Sequence, residues 1–342
     1  MTDTLRYVPN ASLDATFISP AAQPGNAPAS VALPQSPPAS GAARRSTVLP
    51  RVEWTGDKPN VVPFERERFE ELQPLGQGGM GEVVLLKDHD IERMVALKRL
   101  TEATDLDRVL RFVEEIRTIG QLDHPNIVPV HDVGIDQQGR YFFVMKHLQG
   151  DTLETIIHKL RQGDRATHAR FTFPMRVQLF LGVLNALAYA HRKGFIHRDL
   201  KPANIMVLNQ EDDHDVVKVL DFGLVKSFLP DRGGPNETEI TQAGVILGSP
   251  QYMAPEQARN VSDPRSDVYS LGVVMFQMLM GRPPFQAAQS IDVIFKHLNE
   301  APPVFAAVWP AHTVPQEVEA LVMRCLYKRP EERFQSMDEV LE

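Results

Sequence analysis

The spacing of apolar residues changes character at about Leu148, and that change limits the fold more than any other feature of the chain. Before it, short runs rich in β-branched and apolar residues recur at Phe69–Leu75, Glu82–Lys87, Met94–Leu100, Ile127–Gly134 and Tyr141–His147. A glycine cluster and Asp88-His89-Asp90 punctuate the first three, as expected of strands joined by turns. One helical pattern interrupts them, from about Asp105 to Gln121, with Leu106, Leu110, Val113 and Ile116 read as its core stripe. After Leu148 the patterns are helical: Thr152–Leu160, Met175–Arg192, Ser266–Met280 and Glu317–Tyr327. A small sheet-rich lobe with one helix is expected, then a larger helical lobe, with a cleft between them.

Composition sets where the folded part begins. Residues 1–63 hold 10 of the 27 prolines, and Pro20–Ala43 is mostly Pro, Ala, Ser and Gly. Such a stretch buries too little apolar surface to offset its ordering entropy, so residues 1–67 are expected to be a disordered tail. The remaining residues, 68–342, form the expected folded domain. The net charge of −8 argues against binding to nucleic acid or to an anionic membrane, since both need a basic field. A single cysteine, Cys325, excludes an internal disulfide and fits a reducing cytoplasm. The most apolar run, Leu179–Ala190, has 12 residues, short of the ~20 that a membrane-spanning helix needs.

Three clusters carry chemistry. The first is Leu75-Gly76-Gln77-Gly78-Gly79-Met80-Gly81-Glu82-Val83, where Gly76, Gly78 and Gly81 leave backbone N–H groups open to phosphate oxygens. A dinucleotide-binding turn would need a helix next. Here Val83-Val84-Leu85-Leu86 continues as a strand, so the spacing fits a hairpin lying over a nucleotide. The second is Val95-Ala96-Leu97-Lys98. Its lysine either snorkels to the surface or points into the cleft, where it would need a carboxylate to stay charged. Glu115 is the candidate partner: it lies three residues after Phe112 and four before Ile119, while Glu114 falls on another face.

The third cluster is His197-Arg198-Asp199-Leu200-Lys201-Pro202-Ala203-Asn204. It is followed by Asp221-Phe222-Gly223, Gly248-Ser249-Pro250 and Ala254-Pro255-Glu256. Together, in this order, these motifs resemble the protein-kinase signature set from roughly Phe69 to Glu342. Lys201 and Ser249 resemble the Ser/Thr branch, and the wording GQGGMGEV and MAPEQ is most similar to the bacterial members of the eukaryotic-type family. The resemblance implies an α+β bilobal kinase fold, with an antiparallel-sheet N-lobe at about 68–147 and a mainly helical C-lobe at about 148–342. It implies ATP and Mg²⁺ as cofactors and protein Ser/Thr hydroxyls as substrates.

The same resemblance assigns roles. Gly76, Gly78 and Gly81 would cover the phosphates, Lys98 would contact them and pair with Glu115, and Asp221 and Asn204 would hold Mg²⁺. Asp199 would orient the substrate hydroxyl and Lys201 would meet the transferred phosphoryl group. Val83, Ala96 and Met206 would sandwich the adenine, Met145 is the gatekeeper, and Lys146 and Leu148 would bond it through the backbone. Val130, Ile119, Phe222 and His197 match the apolar column that links the lobes. Glu256 would pair with Arg333, Asp267 would brace the catalytic loop, and Ser249 would serve as a structural hydroxyl. Arg198 implies control by phosphorylation, with Thr241 favoured over Thr238 because it lies eight residues before Ser249. A transient homodimer would serve autophosphorylation. The chain is expected in the cytoplasm, either free or as the cytoplasmic part of a longer membrane-anchored protein. A pseudokinase scaffold would have lost one of Lys98, Asp199, Asn204 or Asp221. A small-molecule phosphotransferase would lack the segment from Gly248 to Glu256.

Overall fold

A computed structural model describes residues 47–62, 66–77, 81–101, 106–209, 217–222, 249–259 and 261–342. In chain order the elements are β1 (Arg51–Thr55), β2 (Lys58–Val62), β3 (Phe69–Gln77), β4 (Gly81–Asp88), β5 (Arg93–Leu100), α1 (Leu106–Gly120), β6 (Val130–Ile135), β7 (Tyr141–Lys146) and β8 (Gly150–Thr152). They continue with α2 (Leu153–Arg161), α3 (Arg165–Arg170), α4 (Phe173–Arg192), β9 (Ile205–Leu208), β10 (Val217–Val219), α5 (Pro264–Met280), α6 (Ser290–Asn299), α7 (Phe305–Val308), α8 (Gln316–Cys325) and α9 (Met337–Leu341).

The N-lobe is an antiparallel sheet in the order β3-β4-β5-β7-β6, with α1 against one face. Period-two alternation sorts its side chains. Val84, Leu86, Val95, Leu97, Phe142 and Val144 form one core, with Phe69 packed on it. Leu100 and Phe143, from the opposite face, pack on Val109 and Phe112 of α1. Gly81 is required where β4 meets β5, because a Cβ there would stand 2.2 Å from the Arg99 carbonyl oxygen.

The α1 stripe differs from the expected one. Leu106 and Leu110 are exposed, and the buried face carries Val109, Phe112, Glu115 and Ile119, with Val113 and Ile116 at its edge. Phe112 decides the rotation: it is fully buried, with its ring 5.6 Å from that of Phe143. Burying so large an aromatic outweighs covering two leucines at the solvent edge.

The C-lobe core is built around α4 and α5, both rich in buried Leu, Val, Ala and Met. Asp263 and Ser266 form a capping box at the start of α5, with Pro264 in its first turn. By length and composition α4 could cross a membrane. In the fold, its Leu179, Phe180, Val183, Leu184 and Leu187 are buried in the lobe's core. A second, short antiparallel sheet has the order β10-β9-β8.

Within the stretch assigned by composition to a disordered tail, β1 and β2 form a hairpin in which Thr55 pairs with Lys58. Proline density misses it, because Val52, Trp54, Val61 and Val62 are strand formers and Gly56 takes the left-handed turn position at φ 62°. Thr47 anchors the segment, donating its amide to the Arg66 carbonyl at 2.9 Å.

Candidate active site

Lys98 sits on the central strand β5, on the face that carries Ala96 and Leu100, so the pleat turns it toward α1. Its Nζ donates to Glu115 Oε1 at 2.6 Å and to Asp221 Oδ1 at 2.9 Å. One ammonium therefore stands between two carboxylates. Burial works against its charge, but Asp221 and Glu115 together raise its pKa above the ordinary lysine value. Asp221 is half-exposed; what burial it has works against its charge, yet Lys98 holds its carboxyl below the usual range. Glu115 is buried, and burial pushes its carboxyl up, with Lys98 offsetting only part of that cost.

The loop at residues 197–204 adjoins this group through the backbone bond between Asn204 and Leu220. Arg198 has φ 65° and Asp221 has φ 44°, left-handed conformations that non-glycine residues rarely adopt. Asp267 over-determines the first of them. Its fully buried carboxylate accepts from the His197 amide at 2.8 Å, the Arg198 amide at 2.9 Å and His191 Nε2 at 2.7 Å. Burial alone would raise its pKa, but His191 and these donors hold it low. Asp199 follows directly, and Lys201 Nζ donates to its Oδ2 at 2.6 Å and to Ser249 Oγ at 3.0 Å. Asn204 donates through Nδ2 to the Asp199 carbonyl at 2.9 Å, which turns its own side-chain oxygen the other way. The Leu220 amide donates to the Asn204 carbonyl at 2.8 Å, which fixes the strand leading to Asp221 beside the loop.

Residues 69–342 match the protein kinase domain family. The chain belongs to that family. It is 37% identical over 265 residues to the serine/threonine-protein kinase pkn3 of Myxococcus xanthus, an alignment covering 76% of this chain and 46% of that protein. It is 36% identical over 280 residues to PknB of Mycobacterium tuberculosis, covering 80% and 42%. It is also 36% identical over 280 residues to a probable serine/threonine-protein kinase of Streptomyces coelicolor, covering 80% and 39%. The chain thus spans less than half the length of these curated relatives. The expected bilobal α+β kinase fold is the one the structure has.

Protein kinases use ATP and Mg²⁺, and the residues present fit both. Mg²⁺ binds through one or two protein oxygens together with substrate phosphates, not through an all-protein cage. Among the described residues no cluster of three His, Cys, Asp or Glu could hold a metal, whereas Asp221 and Asn204 offer oxygens on adjoining backbone. When bound, the metal would neutralise phosphate charge at these two residues. A Cβ on Gly76 would meet nothing within 4 Å, so the backbone there borders open space. Val83 opposes Lys98 in the sheet, and Ala96 opposes Met145. Met206 opposes Thr152 across the lower sheet. The Lys146 amide is committed to the Pro129 carbonyl at 3.2 Å, while the Leu148 amide has no backbone acceptor among the described residues. Gly78, Thr238 and Thr241 lie outside the described residues.

Two further assignments meet in space. Arg333 is 1% exposed and spends all its donors. Nη1 and Nη2 reach the two Glu256 oxygens at 2.8 Å each, and Nε, Nη1 and Nη2 also donate to the carbonyls of Tyr327, Arg265 and Lys328. His197 lies 4.8 Å from the Phe222 ring, and Phe222 shares a core with Ile119, against which Val130 packs at the edge. Sequence reasoning missed His191, which bonds Asp267, and Gln257, whose Nε2 donates to the Arg198 carbonyl at 2.9 Å. Gln257 stood inside a quoted motif, but spacing alone cannot show that it reaches back to the catalytic loop.

Proposed function

We propose that this chain is a Ser/Thr protein kinase that transfers the γ-phosphoryl group of MgATP to protein Ser and Thr hydroxyls, including those of its own activation segment. The observation that carries this reading is the joint placement of two devices. Lys98 is held charged by Glu115 and Asp221, and Asp199 is held beside Lys201 and Asn204 on a braced loop. Phosphoryl transfer spreads negative charge over three equatorial oxygens, so a site needs fixed cations and an aligned nucleophile more than covalent chemistry. Lys98 contacts the α- and β-phosphates, Lys201 meets the transferred group, and Asp199 orients the hydroxyl and accepts its proton. The adenine lies between Val83 and Ala96 above and Met206 below, beside Met145. The protein works in the cytoplasm on protein substrates, and its charge of −8 disfavours nucleic acid and anionic membranes. Incubation with MgATP labelled at the γ-position and a mixture of bacterial proteins tests the reading. Label is expected on Ser and Thr and is lost with EDTA. A folded protein that labels nothing overturns it.

Regulation follows from Arg198. Its Nε is buried with no hydrogen-bond partner among the described residues, an arrangement that suits an arriving anion. Phosphorylation of Thr241, or secondarily Thr238, in a transient homodimer would supply a dianion and order the segment. Thr238→Ala/Thr241→Ala is expected to lower activity by about tenfold or more, the worth of one charge-assisted bond at ~1.5–3 kcal/mol. Full activity of the double variant, with mass spectrometry showing no phosphate on wild-type segment, would remove this role from Arg198.

A further inference from the structure

A cavity of about 510 Å³ opens beside the catalytic loop, a size typical of ligand sites. Lys201 and Ser249 form part of its wall, and Lys201 is the residue bonded to Asp199. Whatever fills the cavity is therefore held next to the carboxylate that faces the acceptor hydroxyl. Part of the remaining wall is small: Ala203, Ala287 and Ala288 leave room for an occupant's side chains beside Gln251, Tyr252 and Val293.

Among the described residues, two charged side chains line this cavity, Lys201 and Glu154. Lys201 is already neutralised by Asp199 at 2.6 Å. Glu154 stands in the first turn of α2, exposed, with no ion-pair partner among the described residues. Among the described lining residues, the uncompensated charge is thus negative. We propose that Glu154 selects protein substrates carrying an arginine or lysine close to the phosphoacceptor, an inference that rests on the kinase reading above.

The occupant is an extended peptide segment, because its hydroxyl must reach Asp199 while a neighbouring side chain lies in the cavity. An extended chain advances ~3.3 Å per residue, and a compact cavity of this volume is on the order of 8 Å across. The basic residue therefore sits within about three positions of the acceptor. Arginine gains more than lysine, since its planar guanidinium offers two parallel donors to one carboxylate. Glu154 also suits the positive end of α2. That effect acts equally on every peptide, so discrimination between peptides isolates the proposed role.

The test uses Ser- and Thr-centred peptides with Arg, Ala or Glu scanned over four positions on each side. At one position within three of the acceptor, the wild-type protein is expected to show a KM about three- to tenfold lower for Arg than for Glu, with little change in kcat. Glu154→Gln should flatten the ratio, and Glu154→Arg should invert it toward acidic peptides. Identical profiles for wild type and Glu154→Arg overturn the proposal. Binding of the same labelled peptides by fluorescence anisotropy reads the preference without turnover. Absence of transfer with a retained, Glu154-dependent binding preference would sink the kinase reading alone, whereas equal affinity for Arg and Glu peptides sinks this one.

Discussion

Asp199→Asn is expected to bind MgATP about as tightly as the wild-type protein and to transfer phosphoryl groups slower by ~10²–10⁴-fold, the usual worth of a positioned acid–base group. An amide fills the same volume as the carboxylate and leaves the main-chain bond from Asn204 in place. Asp199 is about a quarter exposed, so removing its charge strands no buried partner. Lys201 exchanges its charged 2.6 Å acceptor for a neutral amide oxygen and keeps Ser249 Oγ at 3.0 Å. What disappears, on the proposed function, is the group that would align the acceptor hydroxyl and take its proton. Single-turnover transfer rates, set beside nucleotide affinity and melting temperature, measure this directly. A variant that keeps more than about a tenth of the wild-type rate would remove Asp199 from the acid–base role.

The site was legible in the sequence wherever chemistry restricts residue identity. Lys98, Asp199, Asn204 and Asp221 stand in short motifs whose residue types can be read without a structure. The choice of Glu115 over Glu114 followed from helical spacing to Phe112 and Ile119, and the structure puts all three on the buried face of α1. The same spacing misplaced Leu106 and Leu110, because periodicity ranks apolar residues alike while packing ranks them by volume and reach. Phe112 against Phe143 fixes the rotation, and Phe143 is thirty-one residues further along the chain. Asp267, about seventy residues from the loop it holds, was legible only through the family resemblance, and nothing local marks His191, which bonds it, or Gln257, which bonds the Arg198 carbonyl. The β1–β2 hairpin was hidden by averaging, since a proline-rich window swamps one strand–turn–strand unit at its end.

The largest stability effect is expected at Arg333, 77 residues from its partner and outside the reacting groups. Its guanidinium bridges Glu256 to the carbonyls of Tyr327, Arg265 and Lys328. Arg333→Met roughly keeps the volume but leaves a mostly buried carboxylate and three carbonyls without their donor. Breaking one partner of such a pair costs about 3–5 kcal/mol, a large share of the ~5–15 kcal/mol that holds a domain together. Arg333→Met/Glu256→Gln should cost less than the sum of the single changes, because the stranded charge is gone. The pH dependence separates this account from a simple packing defect. Burial alone would raise the Glu256 pKa, but Arg333 and Ser266 hold it below the ordinary glutamate value. A lowered folded pKa adds stability that is complete above the unfolded value of ~4.3 and disappears as pH falls through the folded one. Without Arg333, burial dominates and the sign reverses, so protonation relieves the variant. Urea titrations should therefore show a gap between wild type and Arg333→Met that is widest near pH 7, begins to narrow above the unfolded value of ~4.3 and goes on narrowing below it. A gap that is constant over that range, or smaller than about 1 kcal/mol at pH 7, would mean that the ion pair does not hold the two segments together.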